Sequence, residues 1–594
     1  MAAHVLQSVC ATCGLRVHIF YAHLDLAHIL GLEEYAAIND GSLTRAAELL
    51  GERLFARSAH GLPPMGTGEA WLQKSLEPKT IAWLRRIEKQ LPAWCDRIAE
   101  LVVRMAFPIV GCTSTFAQTN ASLALLRRIK RLQPGMVTIL GGANCESDMA
   151  EGMASLDVGQ SAVDYIFSGE CEASFPDFIA DFKRGELPNK RIIRGSPCMR
   201  LDDIPPPDYR EYFEQRAILL PEAAHRLGET CVSYETSRGW WWGQKHQCTF
   251  CGLNGEGMAF RQKTPDKVEH DLRGMAGTYP TQRLEMVDNI MPHSYFGTLL
   301  PRLADRKLPW RIFYEQKANL SLAKLIQLKR AGVVSIQPGI EALCSDLLRR
   351  IKKGTLARRN IMLLRDARAV GLDLFWNLLW GIPGDCAQSY AQTLELIPKL
   401  RHLQPPSGLL HLSIDRFSPY YSDPQEYDLQ PPTPAPAYGH VFPADADKDR
   451  LAYHFESDYN SGSHSAPALI EALRNAVEEW RARWARGSTT APTLRIVPLS
   501  ALTGDTHLLI DTRDGADCDN TQFLDTEQVA MVLTPRPLPT DDDMTFAIDK
   551  KWGVIVDSWY VPLATASPEL LSSLPEFKSG RDRSPREARG DRQS

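Results

Sequence analysis

The chain has 594 residues, a formal net charge of −5, 44% hydrophobic residues and 23% charged residues. At roughly 100–200 residues per domain this length calls for three or four domains, and the composition is that of globular chains with sizeable cores. The mildly acidic balance excludes a general electrostatic pull towards nucleic acid or anionic membrane. No apolar run approaches the ~20 residues of a membrane span, and MAAHVLQSVCATCG lacks the basic and apolar regions of a signal peptide. Thirteen irregularly spaced cysteines suit a reducing cytoplasm better than a disulfide scaffold.

Strands and helices alternate along most of the chain. AFPIVGCTS reads as a buried strand running into a polar turn, and SLALLRRIKRL follows with Leu123, Leu126, Ile129 and Leu132 near helical spacing. Arg127, Arg128, Lys130 and Arg131 then read as one solvated helix face. MVTIL and VDYIFSGE are the next strands, and the pattern predicts a doubly wound parallel sheet. Ligands of such sheets lie beyond the carboxyl ends of the strands, where glycine lets backbone approach closely. Those ends carry Thr113, Ser114 and Thr115, then Gly141, Gly142 and Asn144, then Gly169 and Glu170. A glycine pair after a strand is a weak signal alone, since tight turns also require it.

LDDIPPPDYREYF, with three prolines, reads as an extended linker. A second series follows, with strand-like runs at TCVSYE, RLEMV, RIFYE, VVSIQ, LFWNLLW and LLHLSI. Six such units predict a partial parallel barrel, whose chemistry belongs at the carboxyl strand ends. Polar residues recur there: Asp288 and Asn289, Glu315 and Lys317, Glu341, Asn377 and Arg416. After Leu429 a proline-rich connection leads to IEALRNAVEEWRARW, a good helix, and then to a smaller α+β region. The polar tail KSGRDRSPREARGDRQS has a disordered composition.

The loop SRGWWWGQKHQCTFCGLNG follows the first strand of the second series and holds Cys248 and Cys251. Cys-x-x-Cys pairs serve redox, zinc and iron–sulfur sites alike. In order along the chain, STFAQTNASLAL, GGANC, PPPDYREYF, SRGWWWG, CTFCGLNG, VDNIMP, FYEQKANL, QPGIEAL, WNLLWGIPGD and RFSPYY resemble the cobalamin-dependent radical S-adenosylmethionine C-methyltransferases that mature ribosomally made peptides. The resemblance runs from about Leu6 to Leu429 and more faintly beyond.

It implies an α/β fold in parts: a Rossmann-like cobalamin-binding domain over 1–200, a linker over 201–225, a partial (β/α)6 barrel over 226–430, a small α+β domain over 431–577 and a tail over 578–594. It also implies a 4Fe–4S cluster on Cys248 and Cys251. S-adenosylmethionine would lie near Phe250, Glu315, Lys317, Glu341 and Asn377, and cobalamin near Thr113, Ser114, Thr115, Gly141, Gly142, Asn144, Gly169 and Glu170. The implied partners are a precursor peptide and an electron donor such as flavodoxin or ferredoxin.

Two departures stand out. Trp240 occupies the place of the first cluster cysteine, and an indole offers only an N–H donor where a thiolate is needed. His246 lies inside the loop and is the candidate substitute ligand, whereas Cys231 is about 20 Å of extended chain away. A zinc site from Cys248, Cys251 and His246 lacks a fourth ligand. A protein that keeps the fold and binds cofactor or peptide without radical chemistry is the rival reading. The second departure is at the start, where related chains open with a further strand before the helix finished by LQSVCATCGLRVHIFY. Cys10 and Cys13 on that helix read as packing residues. Asp25, His28 and Gly31 miss the cobalt-ligand spacing Asp-x-His-x-x-Gly by one residue, so cobalt is expected without a protein imidazole.

Overall fold

The computed structural model describes every residue except 40–42, 45, 68, 158–161, 224, 226–229, 242, 244–246, 254, 256–258, 486–490, 500–505, 515–520, 539–544 and 575–594. The expected tail over 578–594 and the candidate ligand His246 therefore lie outside the described residues. The chain divides into two compact units, one of residues 1–292 and 413–459, the other of 293–412 and 460–594. Among the described residues no helix is long and apolar enough to cross a membrane.

The first unit begins with helices α1 (Ala2–Thr12), α2 (Leu50–His60) and α3 (Pro78–Arg104). The sheet then alternates β1 (Ile109–Thr113), α4 (Thr119–Leu132), β2 (Val137–Gly141), α5 (Asp148–Leu156), β3 (Tyr165–Ser168), α6 (Ser174–Arg184) and β4 (Ile192–Arg194). The four strands are parallel and lie in chain order, β1-β2-β3-β4. Side-chain alternation gives this sheet two apolar faces. Ile109, Val137, Ile139 and Phe167 pack with Phe178 of α6 and Leu6 of α1. Val110 on the other face packs with Ile129 of α4 and Ala99 of α3. The two helix layers of a doubly wound sheet are thus present, but the described strands show no reversal of order.

The sequence pattern misread one helix face. Arg127 is buried, not solvated, because α2 lies against α4: Arg127 Nη1 donates to Ala59 O and to His60 Nδ1. Leu132, expected in the apolar stripe, is 49% exposed. The expected linker is also packed. Leu201, Ile204, Tyr209 and Phe213 are buried, and α7 (Arg210–Leu219) occupies its second half.

Beyond it, β5 (Cys231–Tyr234) leads into the hairpin strands β6 (Ser237–Arg238) and β7 (Arg261–Gln262), then α8 (Pro265–Met275) and β8 (Arg283–Met286). β5 and β8 are parallel. Residues 413–459 return to this unit. Asn120 donates to Val441 O at 2.8 Å, and a Cβ on Gly152 would meet Arg450 backbone at 3.0 Å.

The second unit carries β9 (Arg311–Gln316), α9 (Leu322–Arg330), β10 (Val333–Pro338), α10 (Ala357–Val370), β11 (Asp373–Leu374), β12 (Leu378–Trp380), α11 (Ala387–Leu400) and β13 (Leu409–His411). The pairs β9–β10, β10–β11 and β12–β13 are all parallel. LFWNLLW, read as one strand, is split at Phe375–Asn377, because Leu378 pairs with Glu341 beyond the end of β10. LLHLSI also breaks, and Ile414–Asp415 pairs antiparallel with His454–Glu456 in the first unit.

The C-terminal elements are α12 (Pro467–Ala482), an antiparallel sheet of β14 (Leu494–Pro498), β15 (His507–Asp511) and β16 (Thr521–Leu524), and a second of β17 (Arg536–Pro537), β18 (Gly553–Val556) and β19 (Trp559–Pro562). They are packed onto their own unit around the end of α11. Trp480 of α12 donates to Leu403 O at 2.9 Å, and the buried His402 bonds Leu563 O at 2.8 Å.

Glu52 of α2 caps α4. Its carboxylate accepts the backbone N–H of Thr119 and of Asn120, both at 2.7 Å. Burial nevertheless raises its pKa to about 7, outweighing those hydrogen bonds. A carboxyl raised in the folded state stabilises most below its unfolded pKa, and that contribution is lost as pH rises through the folded value. Between about pH 5 and pH 8 the protein is therefore expected to lose up to about 3 kcal/mol through this group. Glu52→Gln should flatten that part of the urea-midpoint profile; an unaltered slope would show that Glu52 does not titrate there.

Candidate functional site

The cysteine loop is built on a stem. β6 and β7 pair antiparallel, Ser237 with Gln262 and Arg238 with Arg261, so the two strands bring the ends of the loop together. Beneath the stem, buried Asp288 accepts Thr236 N–H at 2.6 Å and Ser237 Oγ–H at 2.9 Å, with the Thr236 hydroxyl as a third donor. Burial pushes the Asp288 carboxyl up to about 6 against those bonds.

Both stem arginines reach Glu170, just past the end of β3. Arg238 Nη1 lies 2.7 Å and Arg261 Nη2 2.6 Å from its carboxylate, which also accepts Cys198 N–H at 2.8 Å. Arg238 pairs further with Glu172 and Glu235. Glu170, expected at the cobalamin pocket, thus fastens the loop stem to the sheet. Its side chain is 21% exposed. Burial favours its neutral form, but the Arg261 bond, Cys198 N–H and Arg238 charge outweigh this and hold its pKa below the ordinary value.

Within the loop Cys248 is buried and Cys251 half-buried, with Cys251 N–H donating to Cys248 O at 3.2 Å across the turn. Phe250 sits half-buried between them. Residues 416–420 pin this turn. Tyr420 N–H donates to Thr249 O at 3.0 Å, Gln247 Nε2 to Phe417 O at 3.3 Å, and a Cβ on Gly252 would come within 2.1 Å of Arg416 O. Only glycine fits at 252. Arg416, expected at a strand end in the site, is buried and donates to Ala452 O and Asp449 O, so it braces the turn from behind.

Trp240 lies against Gly243, where a Cβ would be 2.1 Å from the indole ring. A three-thiolate cluster does not fit the described residues. They supply two thiols, an indole stands at the third position, and no group of three or more His, Cys, Asp or Glu among them could hold a metal ion.

At the carboxyl ends of β1–β3, hydrogen bonds prebuild a floor. Buried Ser114 bonds Thr119 Oγ1 at 2.8 Å, and Asn144 Nδ2 donates to Phe116 O at 2.8 Å and Thr119 Oγ1 at 3.0 Å. Gly142 has φ +123°, and a Cβ there would be 2.5 Å from Ser114 O. Gly141 lies beside Phe167 and Gly169 beside Gly195. Thr113 and Gly142 are exposed and Thr115 half-buried, so polar groups and bare backbone face outward over this floor. That surface suits a large ligand laid across strand ends.

The sequence reading missed Phe116, 77% exposed at φ +50°, an uncommon conformation for a bulky residue. It also missed Arg238 and Arg261, whose partners are distant in sequence. Asp25 is structural, accepting the Trp94 indole N–H at 2.7 Å.

In the second unit, residues alternate between a buried face (Ile312, Tyr314, Ile336, Leu374, Trp376, Leu378) and a more open one (Phe313, Glu315, Gln337, Phe375, Asn377). Glu315, Lys317 and Asn377 fall on the open face, Glu315 in register with Gln337. Glu341, at φ +59°, is paired with Lys353 at 2.9 Å, while buried Asn360 donates to the flanking carbonyls of Ile340 and Ala342. Past β12 the turn Gly381–Asp385 is held by Asp385, which accepts from Ile382 N–H, Tyr390 OH, Ser461 Oγ and Ser463 Oγ at 2.6–3.0 Å.

No protein-family model matches the chain. It is 24% identical over 315 residues to a hopanoid C-3 methylase of Methylococcus capsulatus, covering 50% of this chain and 57% of that protein. It is 20% identical over 321 residues to an uncharacterized methyltransferase of Pyrococcus horikoshii, covering 51% and 66%. The match thus spans less than two thirds of either relative. Similar solved structures include OxsB, a cobalamin-dependent S-adenosylmethionine radical enzyme, with aqua-cobalamin and S-adenosylmethionine bound (TM-score 0.48, 15% identity, 64% of this chain and 60% of that one). Another is the radical S-adenosylmethionine methyltransferase TsrM of Kitasatospora setae with cobalamin and a [4Fe–4S] cluster bound (TM-score 0.46, 15% identity, 66% and 81%). Over about half of its length the chain is thus similar in sequence to methyltransferases.

Replacing Glu170 by Gln removes the charge that both stem arginines share. Local stability of the stem should fall by about 1–3 kcal/mol, read as faster limited proteolysis between Arg238 and Arg261. Because the native carboxyl is held below its ordinary pKa, the wild-type stem should lose protection as pH falls through that value, and Glu170→Gln should not. Equal cleavage of both proteins at neutral pH would show that the stem stands without Glu170.

Proposed function

We propose that the chain has the architecture of a cobalamin-dependent radical S-adenosylmethionine C-methyltransferase. Its substrate would be an unactivated carbon of a ribosomally made precursor peptide, and Trp240 leaves its cluster loop one thiolate short. The observation that carries this reading is the Cys248–Cys251 turn, clamped by its Arg238–Arg261 stem to the strand-end residue Glu170. Cobalamin bound over Thr113, Thr115 and Gly142 would supply a methyl group. The chain's own part is to hold that ligand on a prebuilt floor, whose bonds are already made between Ser114, Thr119 and Asn144. Preorganisation of this kind limits what binding must order.

Glu315, Lys317 and Asn377, on the open face of β9–β12, would orient S-adenosylmethionine. Glu341 would have to exchange Lys353 for the ligand's ammonium group. An electron donor such as flavodoxin or ferredoxin would serve only a loop with its full ligand set. A second reading, a cofactor- or peptide-binding protein without radical chemistry, is favoured by the packing of Trp240 on Gly243.

The floor is testable apart from the loop. Hydroxocobalamin added to the full chain should show a changed visible spectrum. Gly142→Ala, whose methyl would press on Ser114 O, should weaken binding severely. No spectral change with the unaltered chain would remove cobalamin from the proposal. For the methyl donor, Asn377→Ala should weaken S-adenosylmethionine binding by about 1–3 kcal/mol in calorimetry; unchanged binding would return Asn377 to a packing role.

A further inference from the structure

The second unit holds a pair of histidines that the reading above does not use. His411 ends β13 and is the parallel partner of Trp380 at the end of β12. His464 follows Ser463, whose Oγ accepts Gly381 N–H at 3.1 Å, so the turn after β12 and the segment bearing His464 are tied together. The two Nε2 atoms are 3.1 Å apart, and the rings are inclined by only 12° with centres 5.4 Å apart. The nitrogens therefore lie between the ring centres and face each other. Trp380 stands edge-on to both rings, at 4.6 and 5.9 Å.

Gly381 is shaped to this pair. At φ +75° it occupies the region that favours glycine, and a Cβ there would lie 2.7 Å from His411 Nε2 and 3.1 Å from His464 Nε2. Any other residue would put a methylene against both nitrogens. The backbone at Gly381 thus passes closely beside two convergent imidazoles, and His464 is exposed to solvent.

We propose that His411 and His464 form a two-imidazole site for a borderline divalent transition-metal ion of the Zn²⁺, Ni²⁺ or Cu²⁺ class. Neutral imidazole is the usual nitrogen ligand of these ions. Metal–nitrogen bonds of about 2.0–2.1 Å place two ligands of one tetrahedral ion roughly 3.3 Å apart, so a small parting and tilt of the rings admits the metal. In its absence one Nε2–H donates to the other nitrogen; metal binding moves that proton to Nδ1 of the same ring, so no net proton is released. Among the described residues no third His, Cys, Asp or Glu joins the pair. Asp385, in the same turn, is taken up by Ile382, Tyr390, Ser461 and Ser463. The remaining coordination positions belong to water or to a ligand atom from outside. That is the open pattern of a reactive or exchangeable site, not of a closed structural one.

Cu²⁺ is the probe, because nitrogen couplings count its imidazoles. With thiols alkylated, the full chain given one equivalent of Cu²⁺ should show two equatorial imidazole nitrogens by pulsed electron paramagnetic resonance. Zn²⁺ should displace the copper. His464→Ala, at an exposed position, should retain one nitrogen at most and weaken binding roughly ten-fold or more. Gly381→Ala should do the same by crowding. Copper bound identically by the unaltered chain and His464→Ala, or a native spectrum without paired imidazoles, would overturn the proposal and leave the pair as an internal hydrogen bond.

Discussion

Glu170 is one carboxylate that two arginines share. It stands at the carboxyl end of β3, and Arg238 and Arg261, on opposite strands of a two-residue ladder, both converge on it. A ladder that short has little stability of its own. The ion pairs make up for this, because they are only partly exposed and each guanidinium donates in fixed geometry. The loop bearing Cys248 and Cys251 is therefore attached to the N-terminal sheet by charge at its stem and by residues 416–420 at its turn. Among the described residues, one oxygen each of Glu172 and Glu235 is buried without a hydrogen-bond partner. Arg238 is the cation that reaches all three carboxylates, Glu170, Glu172 and Glu235.

Much of the fold was legible from periodicity. The strands of the first sheet, the parallel strands of the second unit, and helices such as Pro467–Ala482 fall where apolar spacing and turn residues put them. The errors have physical causes. The basic stripe on α4 looked solvated, but α2 covers Arg127 and takes one of its nitrogens with the Ala59 carbonyl, which periodicity cannot foresee. The proline-rich stretch near residue 205 looked extended, yet its aromatic residues, Tyr209 and Phe213, draw it into the core. The site was legible as a loop and as strand ends, but not as a network. Glu170 read as a ligand contact because its position was right, while its partners lie 68 and 91 residues away. Glu341 and Arg416 illustrate the same limit, since a charge at a strand end is equally suited to a neighbour in the protein.

Trp240 is the place where local sequence and overall architecture disagree. The surrounding loop keeps the features that a bound group would need: a clamped stem, a turn that presents two thiols, and glycines where backbone passes closely. The indole, however, rests on Gly243 and offers no electron pair to a metal. Such a conflict between one residue and its setting marks either a changed function or a changed residue, and the two differ in what a single substitution restores.

On the proposed function, the loop is one thiolate short of a cluster site. Iron and acid-labile sulfide, counted after anaerobic reconstitution of the unaltered chain and of Trp240→Cys, test this directly. The substitution should raise both to about four per chain, while the unaltered chain stays well below that. A full complement in the unaltered chain, or none in Trp240→Cys, would contradict it.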